Sequence, residues 1–354
     1  MNRNTRVISP LGNTWIYNYD GVGNLIERTD ANGNTTTYEY DALNRRIRTS
    51  YPDGSGAVWE YNAMGNLLRV TNTCGLNDVT TYQYDELNRV MACSVDYGGV
   101  FTKTVNYTYD VVGNRITVTY PDGNVTAYEY DPVNRLVRVT AFDGVTTYEY
   151  DNAGRRVRMS YPNDVYVTYG YDGTNRSVSL IEKNATDAIV VNRSYEYDAV
   201  GNKLKETHDE DGSYREIEYD ALNRLVQVIY HSSPAEVQHY TYDGVGNRLT
   251  KTVDGAVTTY TYNADDRLTQ EVSPTETIDY GNDNNGNRIS KTDSNGTYRY
   301  AYDFENRLIN FTKPSGDYAT YNYSPEGLKL SRIRYYHAWG VTVPDYYVYS
   351  GREL

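Results

Sequence analysis

Short alternating segments recur along the whole chain. In Thr35-Thr36-Thr37-Tyr38-Glu39-Tyr40, Tyr38 and Tyr40 share one side of the alternation and Glu39 takes the other. A period of two in β-branched and aromatic residues predicts a strand with one apolar and one polar face. Asp41 follows at once, then Asn44, the residue types that close a turn: aspartate accepts from downstream backbone amides, and Asn or Gly tolerates positive φ. A second alternating run comes next, as in Arg135-Leu136-Val137-Arg138-Val139-Thr140. A second turn then carries Asp-Gly or Asn-Gly, as at Asp122-Gly123, Asp254-Gly255 and Asn295-Gly296. Such dipeptides between alternating runs are strong hairpin signals. The pattern predicts an all-β chain, one continuous antiparallel meander of hairpins.

The unit reads Y-x-Y-D-x-x-(G)-N-R-L and occurs fifteen times, its aspartate positions 20 to 26 residues apart. Residues expected to carry it structurally include Tyr38, Tyr40, Asp41 and Asn44; Tyr107, Tyr109, Asp110, Gly113 and Asn114; Tyr128, Tyr130, Asp131, Asn134 and Arg135; and Tyr240, Tyr242, Asp243, Gly246 and Asn247. The first turn alternates between a form with Gly (Gly23, Gly65, Gly113, Gly246) and one that goes straight to Asn-Arg or Asp-Arg (Asn44, Asn134, Asp266), a period of about 42 residues. We read the Gly as an insertion that lengthens every other turn and makes a bulge there. On that reading, alternating tips pack along one edge and curl the strip.

Composition sharpens this picture. Hydrophobic residues make up 39% of the chain, and 41 are Tyr against 4 Phe and 3 Trp. A tyrosine ring buries apolar area while its hydroxyl needs a partner or water, which suits a thin wall better than a thick dry core. The net charge of −13 disfavours general nucleic-acid binding. No apolar run reaches the length of a membrane span, and the first residues lack the apolar segment of a secretory signal. Cys74 and Cys93 lie 19 residues apart, which sets them two strands apart and beyond disulfide reach; two free thiols are expected.

Chemistry finds little purchase. His208, His231, His239 and His337 show no metal-ligand spacing and no nucleophile beside them. The repeated Asp occurs at the same turn position in unit after unit, and no reaction needs its acid that many times. Asp209-Glu210-Asp211-Gly212 lacks the remaining oxygen ligands of a calcium loop. We expect no catalytic, metal or cofactor site and no enzyme. Asp131 with Arg135, and Asp303 with Arg307, are candidates for ion pairs within a turn.

About thirty strands at ~4.8 Å each would make a strip ~140 Å long, and open sheets of more than about ten strands curl, split or stack. The repeated Y-x-Y-D-x-x-G-N-R-L unit resembles that of the RHS/YD-repeat proteins, which include bacterial polymorphic toxins, the C components of insecticidal toxin complexes and teneurins. The resemblance implies a curled or spiralled strip that forms part of a hollow shell around the protein's own or a co-encoded C-terminal toxin or effector, in a secreted or cell-surface protein. The family's C-terminal self-cleaving segment and toxin domain find no counterpart, so residues 1–354 are expected to form one tandem array, a shell segment or a short stand-alone array. Tyr347 to Leu354 would form the last hairpin before that segment. A second reading is a module that binds carbohydrates or cell surfaces: rows of exposed tyrosines would favour it, and buried ones would favour the scaffold. Unpaired end strands also suggest edge-to-edge self-association.

Overall fold

The computed structural model describes residues 3–349; Ser350 to Leu354, at the end of the expected last hairpin, lie outside the described residues. The described chain forms a single antiparallel sheet of 32 strands, interrupted only by a 3₁₀ turn at His337–Trp339. Neighbours in sequence are neighbours in the sheet, as where Thr35–Tyr40 pairs with both Leu25–Thr29 and Arg46–Ser50. The meander read from the alternation is the fold.

Two compact units divide the chain: one comprises residues 1–106 and 260–354, the other residues 107–259. The first unit contains two runs of hairpins that are far apart in sequence. Its tightest packing gathers around Ala57, Trp59 and Val70, with Tyr61, Leu67 and Tyr82 against them. The second unit buries Tyr107, Val118, Val167, Ile217 and Val228. Most of these side chains share one face of the sheet; in the first unit Leu330 and Ser331, adjacent in one strand and on opposite faces, are both buried.

The other face is wet. Glu39, Glu60, Glu129 and Glu149, each between the two aromatic positions of its unit, are exposed and lie 3.5–3.9 Å from the Arg opposite on the next strand. Exposed pairs of this kind contribute about 0–1 kcal/mol each, so the dry face holds the strip.

The structure corrects the expected difference in turn length. Gly23, Gly65, Gly113 and Gly246 are not insertions. They occupy the same place as Asn44, Asn134 and Asp266, three residues after the turn's first residue. Glycine there has φ of 92–103° and the Asn or Asp has φ of 57–64°. Both forms close with the same two backbone hydrogen bonds, Gly23 N–H to Asp20 O with Asp20 N–H to Asn24 O, and Asn44 N–H to Asp41 O with Asp41 N–H to Arg45 O. The bulge accompanies both: the register slips between Asn18 and Tyr19 and equally between Glu39 and Tyr40. One left-handed residue is required in every turn, and glycine and asparagine are alternative ways to supply it.

Cys93 lies mid-strand opposite Tyr82 and Val105, and Cys74 sits in the turn that follows Leu67–Asn72. Both thiols are free, and burial pushes that of Cys93 up to about 11.

Candidate functional site

Each motif residue has one task, repeated. The aspartate folds its own turn: Asp41 Oδ1 accepts from the backbone N–H of Leu43 and of Arg45, at 2.9 Å each, and Oδ2 accepts from Arg45 Nε at 2.6 Å. Asp131 does the same with Val133 and Arg135. Asp110 and Asp243 do so with Asn114 and Asn247 in place of the arginine. Hydrogen bonds from the Arg45 side chain and backbone hold the Asp41 carboxyl below its ordinary range. The expected Asp131–Arg135 and Asp303–Arg307 pairs form at 2.7 and 2.6 Å.

The tyrosines tie each unit to the one before. The second tyrosine of a unit donates its hydroxyl to the carbonyl that opens the preceding unit's second strand: Tyr40 to Leu25 O at 2.9 Å, Tyr130 to Arg115 O at 3.0 Å and Tyr242 to Leu225 O at 2.7 Å. The turn arginine of one unit lies over the second tyrosine of the next, as Arg135 over Tyr150 and Arg224 over Tyr242, 4.8 and 4.9 Å from the ring centre. The first tyrosines form the dry face. Tyr38 and Tyr107 are buried there, while Tyr128 and Tyr240 are half-buried beneath Arg115 and Arg248. Tyr109 is half-buried at the end of its strand.

The alternation of turns now has a physical reason. A Gly-type turn donates from its Asn to the left-handed Asn of the following turn: Asn24 Nδ2 to Asn44 Oδ1 and Asn114 Nδ2 to Asn134 Oδ1, both at 2.9 Å. The Asn-type turn hands on through its arginine, which donates to the carbonyl of the next turn's first residue: Arg45 to Asn62 O at 3.4 Å, Arg135 to Asp151 O at 3.2 Å. Two complementary links alternate, and the ladder they make runs along the edge of the strip. Arg155 fills the place of the Asn after Gly154 and still reaches Asn175 Oδ1 at 2.9 Å. The motif residues thus form a series of equivalent stations. They do not converge on one pocket, and among the described residues no cluster of three or more His, Cys, Asp or Glu is placed to hold a metal ion.

A second feature of the first unit was not anticipated. The second-type turns of the N-terminal run dock, one by one and in order, on the Asp-turns of the C-terminal run. Asp265 accepts from Ser9 Oγ, Leu11 N–H and Asn13 Nδ2, all at 2.9 Å. Asn285 accepts from Ala31 N–H at 2.9 Å and donates to Asp30 at 2.7 Å. Arg28 meets Glu305 at 3.4 Å, and Tyr51 stacks on Phe304 with ring centres 5.5 Å apart. Trp59 Nε1 donates to Glu326 at 3.3 Å, Asn72 Nδ2 to Tyr323 O at 3.1 Å, and Tyr97 hydroxyl to Tyr347 O at 2.6 Å. One position, two residues into the Asp-turn, recurs in the seam at Asp265, Asn285, Glu305 and Glu326. A signal was present in the sequence, because that position is aliphatic in most units and polar at Asp265, Asn285, Glu305 and Glu326.

The RHS Repeat family model matches residues 19–55, 109–146, 130–166, 197–233 and 242–278. Those stretches of the chain carry RHS repeats. Among solved structures, the strip is similar to TcdB2-TccC3-TEV at a TM-score of 0.71 and 18% identity, covering 95% of this chain and 20% of that one. TcdB2-TccC3 without its hypervariable C-terminal region matches at 0.70 and 19%, covering 94% and 20%. The Photorhabdus luminescens Tc holotoxin pore matches at 0.62 and 18%, covering 94% and 21%. At this identity the likeness establishes the fold, and the strip spans about a fifth of the chains it matches. By sequence, no curated protein matches the chain.

Proposed function

We propose that this RHS strip is a wall segment of a hollow protein shell that encloses a polypeptide cargo, a toxin or effector encoded with it, and protects it until delivery outside the producing cell. Its role is mechanical and not enzymatic. The observation that carries this reading is the in-order docking of second-type turns on Asp-turns in the first unit, Ser9 to Asn13 on Asp265 and Ala31 on Asn285. Two runs of one strip joined edge to edge make a continuous wall, which a free-standing ribbon does not need. The fold shared with toxin-complex structures supports the same reading.

The tyrosines support a scaffold over a glycan-binding face. No Y-x-Y tyrosine is exposed in the described chain, and the hydroxyls of second tyrosines such as Tyr40 and Tyr242 are spent on the backbone carbonyls of Leu25 and Leu225. A sugar would find few open rings on which to stack.

The experiment is protease protection. The chain is expressed in its native gene context together with the polypeptide encoded beside it, and the mixture is challenged with a broad-specificity protease. Cargo that survives with the RHS strip and is degraded without it supports the proposal. Cargo degraded at the same rate in both overturns it.

A further inference from the structure

Of the fifteen units, fourteen carry tyrosine at the second aromatic position, and the exception is Asn282. The backbone there keeps the pattern of the repeat. Asn282 lies opposite Arg288 after a register slip at Gly281, as Tyr302 lies opposite Leu308 after one at Ala301. The difference at this station is one phenol ring, and a solvent-open pocket of about 480 Å³ occurs there. Arg267, Leu268, Asn282, Arg288, Tyr302 and Leu308 are among its walls. Its volume falls within the roughly 300–1,000 Å³ of small-molecule sites.

The groups that receive a tyrosine elsewhere are in place around it. In other units the turn arginine lies over the next unit's second tyrosine, 4.6 Å from the ring centre for Arg45 and Tyr61, 4.9 Å for Arg176 and Tyr197 and 5.1 Å for Arg307 and Tyr323. Arg267 holds that place here. Its guanidinium is fixed by Asp283 O at 2.7 Å, Asn284 O at 3.0 Å and the Asp265 carboxylate at 3.2 Å. In other units the hydroxyl donates to the carbonyl that opens the preceding second strand, as Tyr323 to Leu308 O at 2.8 Å and Tyr219 to Lys203 O at 3.1 Å. Here that carbonyl is Leu268 O, and Asn282 Nδ2 reaches it only at 3.4 Å, beyond the usual distance of about 2.9–3.0 Å. A carbonyl oxygen has two lone pairs, so Leu268 O accepts a further donor.

The chain thus specifies the ligand by its own example. A guanidinium takes the face of an aromatic ring, and the carbonyl takes a hydroxyl on that ring. A carboxylate or phosphate in the hydroxyl's place would meet the lone pairs of Leu268 O, and a plain hydrocarbon brings no donor. We propose that the pocket at Asn282 binds a para-substituted phenol, free or as the side chain of a tyrosine, with its ring against Arg267 and its hydroxyl donating to Leu268 O.

Ligand-observed saturation-transfer NMR on the full chain tests this, with p-cresol, toluene and N-acetyltyrosinamide as probes. p-Cresol binds the wild type saturably, and toluene binds about two- to tenfold more weakly, the worth of one hydrogen bond. Asn282→Tyr puts the chain's own ring in the pocket, abolishes p-cresol binding and raises Tm. Asn282→Phe also fills the pocket and abolishes binding, and it serves if the tyrosine impairs folding. N-acetyltyrosinamide that displaces p-cresol assigns the site to a tyrosine of a polypeptide; if it does not bind, the site is one for free phenols. Three results would overturn the proposal: p-cresol that does not bind, p-cresol that binds both variants as well as the wild type, and toluene that binds as tightly as p-cresol.

Discussion

Asp265 Oδ1 accepts the backbone N–H of Leu11 at 2.9 Å across 254 residues of chain. One carboxylate thereby registers a turn of the first hairpin against the first Asp-turn of the C-terminal run, and Asn285 repeats the arrangement with Ala31. Replacing Asp265 and Asn285 by Leu removes the acceptors of Leu11 N–H and Ala31 N–H, at about 0.5–1.5 kcal/mol each. Hydrogen exchange should accelerate at Leu11 and Ala31, with exchange across the second unit unchanged. Unaltered protection at these two amides would show that the seam does not depend on them.

Glycine and asparagine at the left-handed turn position are interchangeable on this account. No atom lies within 4 Å of where a Cβ on Gly113 would sit, and its φ is 100°. Gly113→Asn should lie within about 1 kcal/mol of wild type, while Gly113→Val, β-branched at positive φ, should cost about 1–2 kcal/mol. Deleting Gly113 removes the left-handed residue and the bulge register together and should cost more than either substitution. Urea unfolding midpoints for the three variants decide the order.

The tyrosine hydroxyls and rings contribute separately. Tyr242→Phe loses the hydrogen bond to Leu225 O and should cost about 0.5–1.5 kcal/mol. Tyr242→Ala also strips the ring from beneath the Arg224 guanidinium and should cost about 3 kcal/mol or more. Equal losses in thermal denaturation would mean that the ring packs against nothing of consequence.

Asp78 sets a pH signature opposite to that of the turn carboxylates. It is buried, with Oδ1 bonded to Asn72 and Oδ2 unpartnered, and burial raises its pKa from 3.8 to about 6. A carboxyl whose pKa is higher folded than unfolded stabilises the fold below about pH 4, and that stabilisation is lost as pH rises through about 6. Asp41 and Asp131 are shifted downward, so their contribution is present above pH 4 and lost in acid. Melting temperature should therefore rise on acidification from pH 7 to about 5 and fall below about 4. Asp78→Asn should be more stable than wild type at pH 7.5, by up to about 3 kcal/mol, and should lose the upper slope. A variant that keeps that slope would place its origin elsewhere.

Much of this was legible because the repeat states it many times over. Alternation around Tyr38, Glu39 and Tyr40 gave the strand and both of its faces, and the Asp, Asn and Gly signals gave the turns, since local chemistry decides both. The turn length was misjudged because Gly113 and Asn134 look like different insertions until φ shows them in one role. The seam was not legible as contact: no local rule joins Ser9 to Asp265. Yet its mark was in the chain, in the change from aliphatic Val245 to polar Asp265, Asn285, Glu305 and Glu326 at one repeat position. The reason for alternation, Asn24 reaching Asn44 and Arg45 reaching Asn62, needed the spacing of adjacent hairpins in the sheet.

The central claim, a strip that walls off an interior, is tested most directly by small-angle X-ray scattering on the purified chain. A filled globule of this length would have a radius of gyration of about 20 Å and an unfolded chain about 68 Å. The account predicts a value between the two, with a pair-distance distribution depleted at its centre. A radius near 20 Å with a single compact peak would mean that the strip fills its own interior, and would contradict the wall.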